Sequence, residues 1–312
     1  MTMRVNAGNF ARAETDRMFH DLQASAGGIN QFVHHREPAA IDEQTVIRLN
    51  RDTLYSFAVV DVADSATLTL PEHGHRYLSA MVVNQDHYVD AIFHDPGEHE
   101  LTTDQLGTPY VVVAVRTLVD PADPDDIAAV AAIQDQILLT ANSAAPFQPP
   151  AYDTATLDET RDALLSLARN LTEFDRMFGT TDEVDPVQHL IGTAAGWGGL
   201  PTSEASYIGV DPRLPVGQYE LTVGNVPVDG FWSISVYNAK GYFEPNERGA
   251  YTVNNITGVP NADGSITVRF GDYPPEVANA IPITEGWNYL IRLYRPRPEI
   301  ADGRWKFPSL NT

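Results

Sequence analysis

The stretch Asp229–Asn255 reads DGFWSISVYNAKGYFEPNERGAYTVNN and combines two strand patterns, a turn and a high density of Trp, Tyr, Phe and Asn. Successive side chains of a strand point to opposite faces. One face of the first strand therefore carries Trp232, Ile234 and Val236. The other face carries Phe231, Ser233, Ser235 and Tyr237. The apolar face predicts a core surface, whereas small polar residues between two aromatic ones favour one wall of a binding pocket.

Further strand patterns surround this stretch. The candidates are Tyr219–Val223, Phe231–Tyr237, Ala250–Val253, Ser265–Phe270 and Trp287–Tyr294. The last candidate places Arg292 between Leu290 and Tyr294 on one face. A guanidinium among large side chains is expected to be at least partly buried, so it needs an anionic or carbonyl partner. Either a structural carboxylate or an anionic substrate group fits that role.

The N-terminal half contains a polar cluster inside an apolar run. Residues 45–62, TVIRLNRDTLYSFAVVDV, predict a pair of strands or one long bent strand with Asn50-Arg51-Asp52-Thr53 in the middle. Two interpretations of the cluster stay open. It is either a turn held by an internal Arg51–Asp52 or Asp52–Thr53 hydrogen bond, or part of a functional site.

Other segments of this half predict strands separated by turn-rich pieces, a spacing typical of a β-sandwich. The strands are Ala66–Leu70, Tyr77–Val83, Tyr88–Phe93 and Tyr110–Val115. Helices are predicted over 9–26, 123–141, 156–178 and 185–195. The proline-rich stretch NSAAPFQPPAYD predicts a linker. We expect an N-terminal domain over 1–145, a helical connector over 146–205 and a C-terminal domain over 206–312.

The connector ends on Gly196-Trp197-Gly198-Gly199, where three glycines around a tryptophan imply a constrained turn. This motif is not a phosphate loop, because it follows a helix and carries no lysine. Trp197 is therefore either a core plug or a pocket wall.

Composition excludes several classes of function. The chain has no cysteine, which excludes disulfides, thiolate metal sites and cysteine nucleophiles. Its 42 acidic and 20 basic residues give a net charge of −22, which opposes binding to nucleic acid or to anionic membranes. No apolar run approaches the roughly 20 residues that span a bilayer, and no signal-peptide core is visible. We expect a soluble cytoplasmic protein, and its acidic surface and edge-rich β domains are compatible with a closed homo-oligomer.

Cofactor and metal motifs are weak or missing. There is no G-x-S-x-G elbow and no Rossmann or Walker fingerprint, so no organic cofactor is expected. The histidines that merit attention are His34, His35, His87, His94 and His99. They lack helical His-x-x-x-His spacing, and we therefore expect no metal site.

Several runs carry a resemblance to known families. NRDTLYSFAVVDV, LTLPEHGHRYLSAMVVNQD and VRTLVDPADPDD resemble the N-terminal domain of unknown function 1254. AAGWGGLP, DGFWSISVYNAKGYF, DGSITVRFGD and GWNYLIRLYRPRPEIADGRWKFP resemble its usual C-terminal partner, domain of unknown function 1214. The resemblance implies an Ig-like β-sandwich followed by a jelly-roll-like β domain, with an α-helical segment between them. It implies no reaction.

Two main hypotheses about function remain. The first is an enzyme that acts on a small organic molecule by acid–base chemistry in a pocket between the two β domains. Its catalytic residues are expected to be Asp52, Tyr55 and Tyr237. Its substrate-binding residues are expected to be Asn50, Arg51, Trp197, Phe231, Ser233, Ser235 and Arg292. The second hypothesis is a non-catalytic protein that binds a small ligand or a carbohydrate. A weaker alternative is a metal-dependent hydrolase that uses the loop histidines.

Overall fold

The computed structural model describes residues 2–44, 47–169, 171 and 175–310. The fold is mainly β, with several antiparallel sheets. The elements up to residue 141 are α1 (Phe10–Ala26), β1 (Val33–His34), β2 (Thr53–Asp61), β3 (Ala66–Leu70), β4 (Leu78–Asn84), β5 (Val89–Phe93), β6 (Gly97–Leu101), α2 (Thr103–Leu106), β7 (Tyr110–Leu118), α3 (Pro124–Gln134) and β8 (Leu138–Ala141). The later elements are α4 (Thr154–Ala168), α5 (Pro186–Gly196), β9 (Ala205–Val210), β10 (Tyr219–Val223), β11 (Trp232–Tyr237), β12 (Thr252–Asn254), β13 (Ile266–Phe270), β14 (Ala280–Ile281), β15 (Asn288–Tyr294) and α6 (Pro298–Ala301).

The chain forms two compact units, each assembled from three separate stretches. Unit 1 comprises Met1–Arg36, Leu54–Leu118 and Ala128–Thr202. Unit 2 comprises Glu37–Thr53, Val119–Ile127 and Ser203–Thr312. The predicted ranges 1–145, 146–205 and 206–312 are consecutive, and as domain boundaries they stay a prediction. The polar cluster 50–53 belongs to unit 2, far in sequence from most of that unit.

Unit 1 contains two sheets and a set of packed helices. One sheet has the strand order β1-β2-β7-β4-β5 and the other has the order β6-β3-β8. Their core is made of small and branched apolar side chains, including Val60, Leu68, Val82 and Val113, each wholly buried. A second cluster holds α1, α4 and α5 together through Phe10, Ala13, Leu157, Leu164 and Ile191. This burial of apolar surface is the main stabilising term of the unit.

The proline-rich stretch 142–153 is attached to unit 1 by hydrogen bonds. The amide N of Phe147 donates to Oε1 of Gln23 at 2.8 Å, and Nε2 of Gln23 donates back to the carbonyl O of Phe147 at 3.2 Å. Tyr152 forms a parallel bridge with Met3. The compact units are not divided at this stretch.

Unit 2 also contains two sheets. The four-stranded sheet has the order β12-β11-β15-β9, and the three-stranded sheet has the order β10-β13-β14. In the first sheet β11 pairs antiparallel with β15, so that Ser233 lies opposite Arg292 and Ile234 opposite Ile291. Trp232, Ile234 and Val236 belong to the main core of the unit, which confirms the core face predicted for β11.

Several predicted elements differ from the structure. Residues 47–52 form no strand, because the polar cluster makes an asparagine turn; residues 45 and 46 of the predicted run lie outside the described residues. The helix expected to reach Ala141 ends at Gln134, because β8 pairs with β3 instead and tertiary pairing overrides helix propensity. The N-cap of α4 is Asp153 rather than Thr156. That helix ends at Ala168, and residues 170 and 172–174 of its predicted range lie outside the described residues.

Candidate functional site

A polar network covers the face of β11 that carries Ser233 and Ser235. Arg292 lies at its centre and is 2% exposed. Its Nη1 donates to the hydroxyl of Ser235 at 2.8 Å, and its Nη2 donates to the hydroxyl of Tyr237 at 2.8 Å. Nη2 also donates to the carbonyl oxygens of Arg48 at 2.8 Å and Leu49 at 3.2 Å. The guanidinium therefore ties residues 48–49 to the sheet.

Asp52 extends this network and is wholly buried. Its Oδ2 accepts a 2.7 Å hydrogen bond from the hydroxyl of Ser233, and its Oδ1 accepts a 3.4 Å hydrogen bond from Nδ2 of Asn254. Burial raises the pKa of the Asp52 carboxyl, although the charge of Arg292 and the two hydrogen bonds oppose the shift. The group therefore holds a proton at a higher pH than an exposed aspartate does.

Asn50 shapes the turn that presents Asp52. Its Oδ1 accepts from the amide N of Asp52 at 3.0 Å, which is an asparagine turn. Its Nδ2 donates to Oγ1 of Thr53 and to the hydroxyl of Tyr294, both at 3.2 Å. The sequence-based interpretation of the cluster as a turn held by Arg51–Asp52 or Asp52–Thr53 bonds is therefore wrong in its partners.

A cavity of about 330 Å³ lies in unit 2 beside this network. Its polar lining comprises Arg51, Asp52, Asp120, Arg248, Tyr251, Thr252, Asn254, Thr257 and Asn279. Its remaining lining is largely apolar or glycine and includes Pro121, Ala122, Val253, Val259 and Ala280. Asp52 and Arg51 are thus the two residues of the predicted cluster that reach the cavity, and the volume suits a small organic molecule.

Arg51 is a charged residue of the cavity lining with few hydrogen bonds to the protein. Its Nη1 donates to the carbonyl O of Ala39, and its Cζ lies 5.7 Å from the ring centre of Tyr251. Its Nε is buried and has no hydrogen-bond partner among the described residues. Burial also lowers the pKa of Arg51 from its ordinary value.

The expected wall residues of β11 do not line this cavity. Phe231, Ser233, Ser235 and Tyr237 are each at most 1% exposed. Phe231 stacks on Tyr294, with ring centres 4.2 Å apart, and the hydroxyl of Tyr237 donates to the carbonyl O of Leu49 at 2.9 Å. Residues 48–52 cover this face of β11. The wall is formed instead by the segment 248–254.

The hydrogen-bond partners of Arg292 are groups of the protein itself. The sequence left a structural carboxylate and a substrate anion open. The structure provides backbone carbonyl oxygens and hydroxyl groups as hydrogen-bond partners, and the carboxylate of Asp52 contributes through its charge. Arg292 thus supports the site from within.

Tyr55 and Trp197 belong to unit 1. Tyr55 stacks on Phe57 with ring centres 5.7 Å apart, and Cζ of Arg116 lies 5.5 Å from the Tyr55 ring centre. Nε1 of Trp197 donates to Oγ1 of Thr15 at 3.1 Å, and its ring stacks on His87. The glycine motif around Trp197 has a packing reason, because a Cβ at Gly199 would lie 2.3 Å from the Phe178 ring.

The sequence did not single out Tyr251, Asn254 or Arg248 as site residues. Tyr251 and Asn254 lie in the stretch Asp229–Asn255, and its high density of aromatic and asparagine side chains was the signal that could have identified them. Arg248 carried no signal, because its position on the cavity wall depends on the path of residues 238–251 between β11 and β12.

His87, His94 and His99 each contact different hydrogen-bond partners. Nδ1 of His87 is 2.8 Å from Oγ1 of Thr193, and its Nε2 accepts from the amide N of Gly198 at 2.9 Å. His94 contacts the carbonyl O of Leu78, and His99 contacts that of Asp95. Within the described ranges, no three His, Cys, Asp or Glu side chains are grouped as a metal ion would require.

Unit 1 has a cavity of its own, with a volume of about 370 Å³. Asp16 lies in its wall and is 2% exposed. The hydroxyl of Tyr152 donates to Oδ2 of Asp16 at 2.8 Å, and Nε2 of Gln85 donates to Oδ1 at 3.2 Å. Burial raises the pKa of Asp16, and the pKa of Tyr152 is raised as well.

Comparison with protein families agrees with the resemblance found in the sequence. Residues 214–298 match the model described as protein of unknown function (DUF1214), and residues 29–99 match the model described as protein of unknown function (DUF1254). The chain combines these two domains of unknown function. The DUF1214 match contains β11 and β15, and the DUF1254 match contains the cluster 50–53. No curated protein matches the chain.

Two solved structures share the fold of this DUF1254–DUF1214 chain. One is a crystal structure of a Vibrio parahaemolyticus protein, with a TM-score of 0.74 at 17% identity; the match covers 98% of this chain and 97% of that one. The other is an uncharacterised protein from Burkholderia cenocepacia, with a TM-score of 0.55 at 15% identity, covering 97% and 87%. At these identities the likeness concerns the fold alone.

The sequence of the DUF1254–DUF1214 chain predicted no apolar run long enough to span a bilayer. In the part of the chain that the structure describes, no helix combines the length and the apolar character needed to cross a membrane.

Proposed function

We propose that the chain is an enzyme that acts on a small organic molecule in the unit 2 cavity, with Asp52 as its acid–base group. One observation carries this proposal: the Asp52 carboxyl is wholly buried and yet forms part of the cavity lining. A carboxyl with a raised pKa is a stronger base in its ionised form than an exposed aspartate, and once protonated it can return the proton. Perturbed titratable groups in clefts are typical of catalytic sites.

The surrounding residues support a defined role for the carboxyl. Ser233 and Asn254 each hold one of its oxygens, which fixes its orientation. As a carboxylate, Asp52 would take a proton from a carbon next to a carbonyl group, and the electron pair would move to the carbonyl oxygen. The protonated Asp52 would then return a proton to that carbon. Tyr237 and Arg292 would act as positioning residues of the same network.

Proton exchange in heavy water tests this role. Neutral ketones and 2-oxo acids are incubated with the protein in D2O, and loss of the proton signal next to the carbonyl is followed by NMR. We expect exchange on at least one compound to be faster with the wild type than with Asp52→Asn. Asp272→Asn serves as the matched control, since Asp272 is an exposed aspartate of unit 2 outside the cavity. Equal rates for folded wild type and Asp52→Asn on every compound would refute the proposal.

A second candidate is a non-catalytic protein that binds a small ligand or a carbohydrate. The observation that favours it is that Ser233 and Asn254 already occupy both oxygens of Asp52. Tyr251 beside Arg51 would then provide the stacking surface. Ligand binding without any proton exchange that depends on Asp52 would support this function instead.

We further propose a fold for each of the two domains, a partner and an assembly. The family resemblance supports an Ig-like sandwich for the N-terminal domain and a jelly-roll-like fold for the C-terminal domain. A small molecule is the proposed partner, and a homo-oligomer is the proposed assembly.

A further inference from the structure

The guanidinium of Arg51 has hydrogen-bonding capacity that the protein leaves unused. An arginine side chain carries five N–H donors and no acceptor. In this case Nη1 reaches the carbonyl O of Ala39, whereas Nε has no partner among the described residues. An unmet donor on a buried or half-buried cation costs free energy, and an anionic oxygen is its strongest partner.

The described residues also provide no carboxylate partner for Arg248, a second arginine of the same cavity. Arg248 donates to the backbone carbonyl oxygens of Tyr273, Pro274, Pro275 and Val277. Carbonyl groups satisfy its donors and hold it in place, but they carry no net charge. The positive charge of Arg248 therefore adds to that of Arg51 at the cavity.

Other arginines of unit 2 do form ion pairs with carboxylates. Arg269, Arg297 and Arg304 pair with Glu220, Asp229 and Asp302. The lining of the cavity carries two arginines, Arg51 and Arg248, and two carboxyls, Asp52 and Asp120. The buried charge of Arg292 opposes that of Asp52, so that three arginines stand against two carboxyls. The potential in the cavity thus favours an anion.

The remainder of the lining restricts the body of that anion. Pro121, Ala122, Val253, Val259 and Ala280 offer apolar surface, and Tyr251 offers an aromatic face. A molecule with one anionic group and an apolar body matches both parts of the cavity. A volume of about 330 Å³ allows a small molecule.

We propose that the unit 2 cavity binds a small organic acid, with its carboxylate on Arg51 and its apolar body against the Val253 and Val259 wall. This inference rests on the proposed function, because it names the substrate class of the same site. Arg51 thereby takes the anion-binding role that was considered for Arg292 from the sequence.

Calorimetric titration with sodium benzoate, butanoate and acetate tests the proposal, with benzamide as the neutral counterpart of benzoate. We expect benzoate to bind more tightly than benzamide to the wild type. Arg51→Met should weaken benzoate binding about tenfold or more, because a hydrogen bond to a charged group is lost. Arg51→Lys should retain part of the affinity. Arg304→Met, which removes an exposed arginine of unit 2 outside the cavity, should bind as the wild type does.

Three results would overturn the proposal. They are equal binding of benzoate and benzamide by the wild type, unchanged benzoate affinity in folded Arg51→Met, and failure of all three carboxylates to bind. Inorganic phosphate that binds more tightly than every carboxylate would also overturn it, since the site would then take phosphate. The wild-type comparison of benzoate with benzamide stands even if the Arg51 variants fail to fold.

The two proposals, anion binding by Arg51 and acid–base chemistry by Asp52, are refuted by different results. If benzoate binds through Arg51 but no carbonyl compound exchanges protons through Asp52, the inference stands and the acid–base proposal falls. If neutral ketones exchange protons through Asp52 while no carboxylate binds, the acid–base proposal stands and the inference falls.

Discussion

The hydroxyl of Ser233 donates a 2.7 Å hydrogen bond to Oδ2 of Asp52, a residue 181 positions earlier in the chain. Both residues are wholly buried. This bond joins the segment 37–53 to the four-stranded sheet of unit 2, so the same contact that closes the fold also orients the carboxyl of the cavity. Stability and site geometry are therefore coupled at this pair.

Replacement of Ser233 by alanine should destabilise the protein. The change leaves Oδ2 of a buried carboxyl without its donor, so we expect a loss of about 1–3 kcal/mol in the free energy of unfolding. Ser79→Ala is the matched control, because Ser79 is equally buried on a strand but its hydroxyl has no hydrogen-bond partner among the described residues. Urea unfolding should show little loss for Ser79→Ala. Equal losses in the two variants would contradict the role given to the Ser233–Asp52 bond.

Asp52→Asn should change the dependence of stability on pH. Because burial raises the pKa of Asp52 above the ordinary value of 3.8, the folded protein binds this proton more tightly than the unfolded chain does. The stability that comes from this group is fully present below pH 3.8 and is lost as the pH rises through the folded pKa. The asparagine variant lacks this loss, so its stability relative to the wild type should increase from pH 4 towards neutral pH. Parallel stability curves over that range would show that Asp52 keeps an ordinary pKa.

The sequence predicted the strands of unit 2 well, because alternation is a local property. Trp232, Ile234 and Val236 entered the core as expected, and α5 lies within one residue of its predicted range 185–195. Prediction from the sequence failed for strands whose formation depends on pairing with a distant segment. β8 is a strand because it finds an edge of β3, and β9 was missed although it pairs with β15 along six residues.

Prediction of the site had a similar limit. Asp52 and Arg51 were identified from a polar cluster in an apolar run, and both line the cavity. Alternation alone suggested that Ser233 and Ser235 faced a ligand, but it could not show that residues 48–52 cover them. Tyr55 was predicted to be catalytic together with Asp52, yet the two residues belong to different compact units.

His87→Asn should flatten the loss of stability in acid. Burial, with a smaller contribution from the charge of His189, lowers the pKa of His87 from its ordinary value of 6.5 to about 3. The unfolded chain therefore binds a proton at this histidine at a pH where the folded protein does not. Stability is lost as the pH falls from 6.5 towards 3, by up to about 1.4 kcal/mol per pH unit. Asparagine tolerates the left-handed backbone at this position, where φ is 67°.

Stability curves measured between pH 7 and pH 4 check this expectation. His87→Asn should be less stable than the wild type at pH 7, because the acceptor for the amide N of Gly198 is lost. Its slope in acid should nevertheless be smaller. His20→Asn is the control, since His20 is exposed on α1 and its replacement should leave the slope unchanged. An unchanged slope in His87→Asn would show that another group causes the acid sensitivity.

Tyr152→Phe should destabilise the protein more than Tyr110→Phe, although both tyrosines are half-buried in the wall of the unit 1 cavity. The Tyr152 hydroxyl donates to the buried carboxyl of Asp16, so its removal leaves a charged acceptor short of one donor and should cost about 1–3 kcal/mol. The Tyr110 hydroxyl donates to the exposed carbonyl O of Ala145, which water can satisfy instead. Its loss should cost about 0.5 kcal/mol or less. Urea unfolding of the two variants side by side measures the difference, and similar costs would mean that Asp16 does not depend on Tyr152.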